Sequence, residues 1–77
     1  MKDLVNFIAQ ELVDDPQSVS VKEIRRGNQI KLELQVSKSD MGRVIGKGGK
    51  IANAIRILLR VSGEKTGKKA TLDVVEP

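Results

Sequence analysis

Between residues 42 and 51 the sequence reads GRVIGKGGKI, and three glycines fall within four residues there: Gly46, Gly48 and Gly49, around Lys47. No other stretch constrains the fold as much, because a glycine cluster interrupts regular structure and frees the backbone to reverse. Apolar residues flank it on both sides, so it reads as a joint between two helices. The first is short, from Ser39 or Asp40 to Val44 or Ile45; the second is long, from Lys50 to about Val61. Gly46 and Gly49 are expected to supply the positive φ of a tight reversal, while Gly48 and Gly49 leave room for another backbone to approach. The unpaired N–H groups and positive dipole end of the second helix point into the joint, with Lys47 and Lys50 beside them. That is a small anion cradle.

Other glycine-rich phosphate loops do not fit. A P-loop needs four residues before its Gly-Lys pair and then Ser or Thr. Here Gly42 and Gly46 are separated by three residues, and Gly48 follows Lys47. The dinucleotide pattern needs a glycine at position 51, which is Ile51, and it follows a strand rather than a helix.

The rest of the chain is organised around that joint. Leu4, Val5, Phe7, Ile8, Leu12 and Val13 recur at helical spacing, with Phe7 assigned to the core; Pro16 ends this first helix. In SVSVKEIRR, Val19 and Val21 alternate, but Ile24 is out of phase and predicts a bulge or register change. RGNQ is a turn. IKLELQV alternates strictly, with Ile30, Leu32, Leu34 and Val36 on one face, and pairs with the preceding strand as a hairpin. SGEKTGKK reads as a polar basic loop and ATLDVV as a last strand, with Ala70, Leu72 and Val74 on one face. The expected fold is one α+β domain over residues 1–77, in the order α-β-β-α-α-β, with a three-stranded sheet covered by helices on one face.

Composition narrows the chemistry. The chain has no histidine and no cysteine, so the commonest general base, the thiol nucleophile, disulfides and thiolate metal sites are all absent. Asp14 and Asp15 read as a helix-ending turn. Neither an enzyme, a metal nor a cofactor is expected. No apolar run is long enough for a membrane span, the N-terminus lacks the layout of a signal peptide, and the chain reads as cytoplasmic. Residues 40–69 hold eight basic residues against two acids, whereas the remainder is slightly acidic. A basic half around a glycine-rich loop points to a polyanion.

GRVIGKGGKI closely resembles the KH-domain signature VIGxxGxxI, whose GXXG loop clamps four nucleotides of backbone. Val44, Ile45, Gly46 and Gly49 match; the trailing isoleucine falls one residue early, at Ile51, and Ala52 stands in its place. The order α-β-β-α-α-β resembles the type II, bacterial KH arrangement. The segments MKDLV.FIA..LVD.P and D.GRVIGK.GK...AIR.LL are similar to the KhpA family of small single-KH bacterial proteins. The resemblance implies RNA binding, as an RNA chaperone or post-transcriptional regulator. It also implies pairing with a larger KH protein that carries a further nucleic-acid-binding domain, and a link to cell-envelope growth and cell shape. It further implies a narrow apolar groove for bases beside a loop for phosphates.

On this reading Gly46, Lys47, Gly48 and Gly49 clamp phosphates, and Arg43 and Lys50 support them. Val44, Ile45 and Ile51 shape an apolar floor, and a basic loop with Lys65, Lys68 and Lys69 closes the far side. Phe7 is the only aromatic, so there is no stacking platform, and bases must lie against aliphatic groups and a strand edge. In the long helix, Ile51, Ala52, Ala54, Ile55, Ile57, Leu58, Leu59 and Val61 cover an arc of roughly 220°, against the ~100° one packed face needs. The excess must meet the first helix, nucleobases or a second subunit; the candidate seam for a homodimer is Ala54, Ile57, Leu58 and Val61. A protein-interaction module whose RNA function lies in its partner is the alternative.

Overall fold

The structure is a computed structural model that describes residues 2–75, with the Lys47 side chain outside the described set. Three helices and three strands follow in the order α1 (Lys2–Leu12), β1 (Ser20–Arg26), β2 (Gln29–Gln35), α2 (Lys38–Ile45), α3 (Lys50–Thr66) and β3 (Lys69–Val75). The strands form one sheet in the order β1-β2-β3, antiparallel between β1 and β2 and parallel between β2 and β3. Parallel pairing demands a crossover, and α2 and α3 supply it.

The α+β class and the element order agree with the sequence reading. Ile30, Leu32 and Leu34 are buried on β2, and Leu72 on β3 faces the same way. Val5, Ala9, Val44, Ala52, Ile55 and Leu59 pack against them in one cluster, so the helices cover a single face of the sheet.

Four local expectations are corrected. Phe7 is 61% exposed rather than buried. The inward stripe of α1 is Val5 and Ala9, continued by Val13 just past its end, and Phe7 lies roughly 160° around the helix from Ala9. Phe7 therefore points away from the face that Val5 and Ala9 bury.

Second, β1 has no bulge among the described residues: its pairing runs unbroken from Ser20↔Gln35 to Arg26↔Gln29. Ile24, opposite Lys31, stands on the uncovered face, while Glu23 and Arg25 share the inner face at the sheet margin. There Arg25 Nε donates to Glu23 Oε2 at 2.7 Å, which holds the Glu23 carboxyl below its ordinary range.

Third, α3 does not end near Val61 but continues to Thr66, so SGEKT is helical. Gly63 is there for space: a Cβ would collide with the Lys68 backbone carbonyl where the chain turns back onto β3. Gly67, at φ 69°, ends the helix in the left-handed conformation, and the Lys68 N–H returns to the Gly63 carbonyl at 2.8 Å. Fourth, α2 begins at Lys38, with Ser37 at its N-cap, one or two residues before the expected start at Ser39 or Asp40.

Candidate nucleic-acid interface

The glycine joint starts where α2 stops. The Gly46 N–H bonds the Gly42 carbonyl at 2.7 Å and the Gly49 N–H bonds the Gly46 carbonyl at 2.9 Å, closing two successive tight turns. The glycines divide their tasks differently from the expected scheme. Gly46 is extended, at φ −71° and ψ 179°, and is needed because a Cβ would strike the Gly42 carbonyl. The positive φ values belong to Gly48 (74°) and Gly49 (67°). With two consecutive left-handed residues the chain reverses within three positions and enters α3 at Lys50.

Around the joint, Ile45 is half exposed at its mouth, and Gly48 and Lys50 are exposed. Val44, expected on the floor, is fully buried in the core, and Ile51 packs half-buried against that core. Ala52, one residue further, is the position that seats α3. The expected role of the Lys47 ammonium lies outside the described residues. Asn53 Nδ2 donates to the Gly48 carbonyl at 3.3 Å, and Arg56 Nη1 donates to Asn53 Oδ1 at 3.2 Å. This short relay ties the loop to the first turns of α3, whose N-terminus has no side-chain cap.

Beginning at Asn53, which is bonded to the joint, a groove of about 750 Å³ runs between α3 and β3. Asn53, Arg56, Ile57 and Arg60 line one wall, and Lys69 and Thr71 stand on the other. Lys68 lines its far end, and Glu64 is its one acid. The sequence reading named Lys68 and Lys69 but missed Asn53, Arg56 and Arg60. Their signal was an i, i+3, i+7 polar row starting four residues after Gly49. Lys65 is misplaced in that reading: it sits in the last turn of α3 and does not line the groove.

The strand wall has one further property. The Lys69 N–H bonds the Asn28 carbonyl at 2.8 Å, toward β2. Backbone groups alternate along a strand, so those of Ala70, Leu72 and Val74 point away from β2, on an edge with no further strand. Polar backbone therefore faces the middle of the groove.

Arg43 is engaged elsewhere. Its Nη2 lies 3.0 Å from Asp14 Oδ2, across the start of the α1–β1 connection. Beside it Asp40 is buried and accepts from the Asp14 and Asp15 N–H groups, both at 3.0 Å, and from the Ser37 hydroxyl at 2.9 Å. The Asp14 N–H is the main reason the Asp40 carboxyl stays below the usual range; Ser37, Asp15 and Arg43 add to it, and burial opposes it. These bonds pin α2, and with it the joint, to the end of α1. The pattern Ser37-x-x-Asp40 was a readable sign of a polar knot at a helix start.

The proposed seam residues Ala54, Ile57, Leu58 and Val61 are all exposed on α3, and Leu4, Phe7 and Leu12 are exposed on α1. Ile57 also lines the groove, so it belongs to two surfaces. Among the described residues there is no cluster of acids suited to a metal, and no helix long and apolar enough to cross a membrane.

A helix–GxxG–helix joint carried on a mixed three-stranded sheet, in the order α-β-β-α-α-β, is the type II KH fold. The structure of Era in complex with MgGDPNP and nucleotides 1506–1542 of 16S ribosomal RNA shares it, at a TM-score of 0.63 and 23% identity over 97% of this chain and 29% of that one. The chain belongs to the KhpA/KhpB KH-domain family, whose model matches residues 2–74. It is similar to the RNA-binding protein KhpA of Clostridium perfringens, with 47% identity over 97% of this chain and all of the relative. It is also 42% identical to the RNA-binding protein KhpA of Aquifex aeolicus, over 99% of this chain and 96% of that one.

Proposed function

We propose that this chain, as one KH domain, binds single-stranded RNA in the α3–β3 groove, without catalysis. The observation that carries the proposal is the GxxG joint bonded through Asn53 to the start of a groove lined by Arg56, Arg60, Lys68 and Lys69. Loop N–H groups and the α3 N-terminus take phosphates, Lys47 and Lys50 add charge, and Ile57 with the aliphatic stems of the arginines gives bases an apolar wall. The free backbone groups of β3 meet base edges. With no aromatic in the groove, stacking adds little, and phosphate contacts dominate affinity. The resemblance extends this reading to a cytoplasmic RNA chaperone or post-transcriptional regulator tied to envelope growth and cell shape.

The test is the double substitution Lys47→Asp, Gly48→Asp. A Cβ at Gly48 has open space, and aspartate tolerates the left-handed conformation better than most residues, at a cost of about 1–2 kcal/mol. The domain should stay folded and lose nearly all RNA binding. Unchanged affinity in the folded variant removes the loop from the mechanism.

A second reading rests on the exposed α3 stripe. Leu58 and Val61 are 43% and 44% exposed, with Ala54 beside them, and an apolar row of this kind on so small a domain fits a subunit contact. A second copy of the chain, or a larger KH protein, is the proposed occupant.

A further inference from the structure

The face of the sheet that no helix covers is unevenly charged. The pairing register places Arg26, Gln29 and Lys69 in one row across it, and Ile24, Lys31 and Thr71 in the next. A third row holds Lys22, Glu33 and Asp73, so the acids begin only there. The first two rows line a depression of about 460 Å³, and none of its lining residues is acidic. Lys31 reaches back to Asp73, with Nζ and Oδ2 3.1 Å apart, which raises its pKa and holds its charge in place. Arg26 is exposed and has no ion-pair partner among the described residues.

This depression adjoins the groove described above. Lys69 and Thr71 line both, and they stand on β3, the strand that separates them. From Lys69, Gln29 and then Arg26 follow in the same row across the sheet.

We propose that single-stranded RNA held in the α3–β3 groove continues around the edge of β3 and lays its next nucleotides on this end of the bare sheet. Lys69 and Arg26 take successive phosphates there, and Ile24 lies against a base. The proposal rests on the groove reading and lengthens the binding site beyond the four nucleotides a GxxG loop clamps. Charge complementarity and the adjoining groove select RNA over a protein partner for this surface.

The test compares oligouridylates of four and about eight nucleotides on the wild-type chain, on Arg26→Gln and on Arg25→Gln. Arg25→Gln makes the same charge change on the inner face of the same strand. The expected result is a gain in affinity on lengthening that falls by about fivefold in Arg26→Gln, the scale of one exposed charge contact. The salt slope for the longer RNA should shrink by about 0.7 in the same variant, and Arg25→Gln should keep both. An equal gain in all three proteins overturns the inference, as it would if a protein occupied this face. So does an equal weakening of both RNAs by Arg26→Gln, because that is a long-range field and not a contact. If the wild type binds neither RNA, the groove reading falls and this extension falls with it.

Discussion

Gly42 and Gly63 both lie inside helices, and helix propensity alone treats them alike. Replacing a helical glycine by alanine is worth about 0.4–1 kcal/mol in stability, mostly by restricting the unfolded chain. The structure separates them. An added Cβ on Gly42 meets nothing within 4 Å, so Gly42→Ala should follow the rule and raise Tm by roughly 2–8 °C, at about 4–8 °C per kcal/mol for a domain of this size. On Gly63 the same Cβ collides with the Lys68 carbonyl and its carbon, and sits 3.6 Å from Ala70 N. Those atoms are backbone at the α3–β3 junction and cannot rotate away. Overpacking of this kind costs about 1–3 kcal/mol, which exceeds the propensity gain. Gly63→Ala should therefore lower Tm by several degrees and loosen the segment that positions Lys68 and Lys69 in the groove. Thermal melts followed by circular dichroism read both signs. A Gly63→Ala protein as stabilised as Gly42→Ala would refute the close approach, and with it the extension of α3 to Thr66.

Asp40 makes a pH prediction. Its carboxyl titrates lower in the folded chain than in the unfolded one, so its stabilisation is complete above the ordinary Asp value of about 3.9 and is lost as pH falls through the folded value. Wild-type Tm should drop on acidification below about pH 4, and Asp40→Asn should start lower at neutral pH and lose less; parallel profiles would contradict the hydrogen-bonded knot. For self-association, Leu58→Asp avoids the groove that Ile57 lines, and should give a folded monomer where the wild type sediments as a dimer. A wild type that stays monomeric at high concentration rules out a homodimer, and a Leu58→Asp chain that unfolds places Leu58 in the core.

The parts of the fold that were legible were those that a local pattern specifies. IKLELQV alternates without a break because β2 is the central strand and buries one face along its full length. The joint was legible because glycine clusters have few other uses. What stayed hidden depends on contacts between distant segments. The end of α3 was misread because Ser62 and Gly63 look like helix breakers, and only the approach of Lys68 reveals the need for a glycine. Phe7 fitted the helical pattern as well as Val5 did; only the packing of Val5 and Ala9 into the core shows which face of α1 turns inward. Ile24 looked out of phase because β1 is an edge strand whose inner face partly escapes the helices. In the candidate site, the loop, Lys68 and Lys69 were visible from the sequence, whereas the wall of Asn53, Arg56 and Arg60 became visible only when β3 was placed beside α3.

The most direct test of the RNA-groove proposal is a backbone amide NMR titration of the chain with a four-nucleotide single-stranded RNA. The proposal predicts shifts at Gly46 to Asn53, at Arg56 and Arg60, and along β3 from Lys69 to Leu72, with the α1 amides unmoved. Shifts confined to α1 and the Ala54–Leu58–Val61 stripe, with a silent glycine joint, would contradict it.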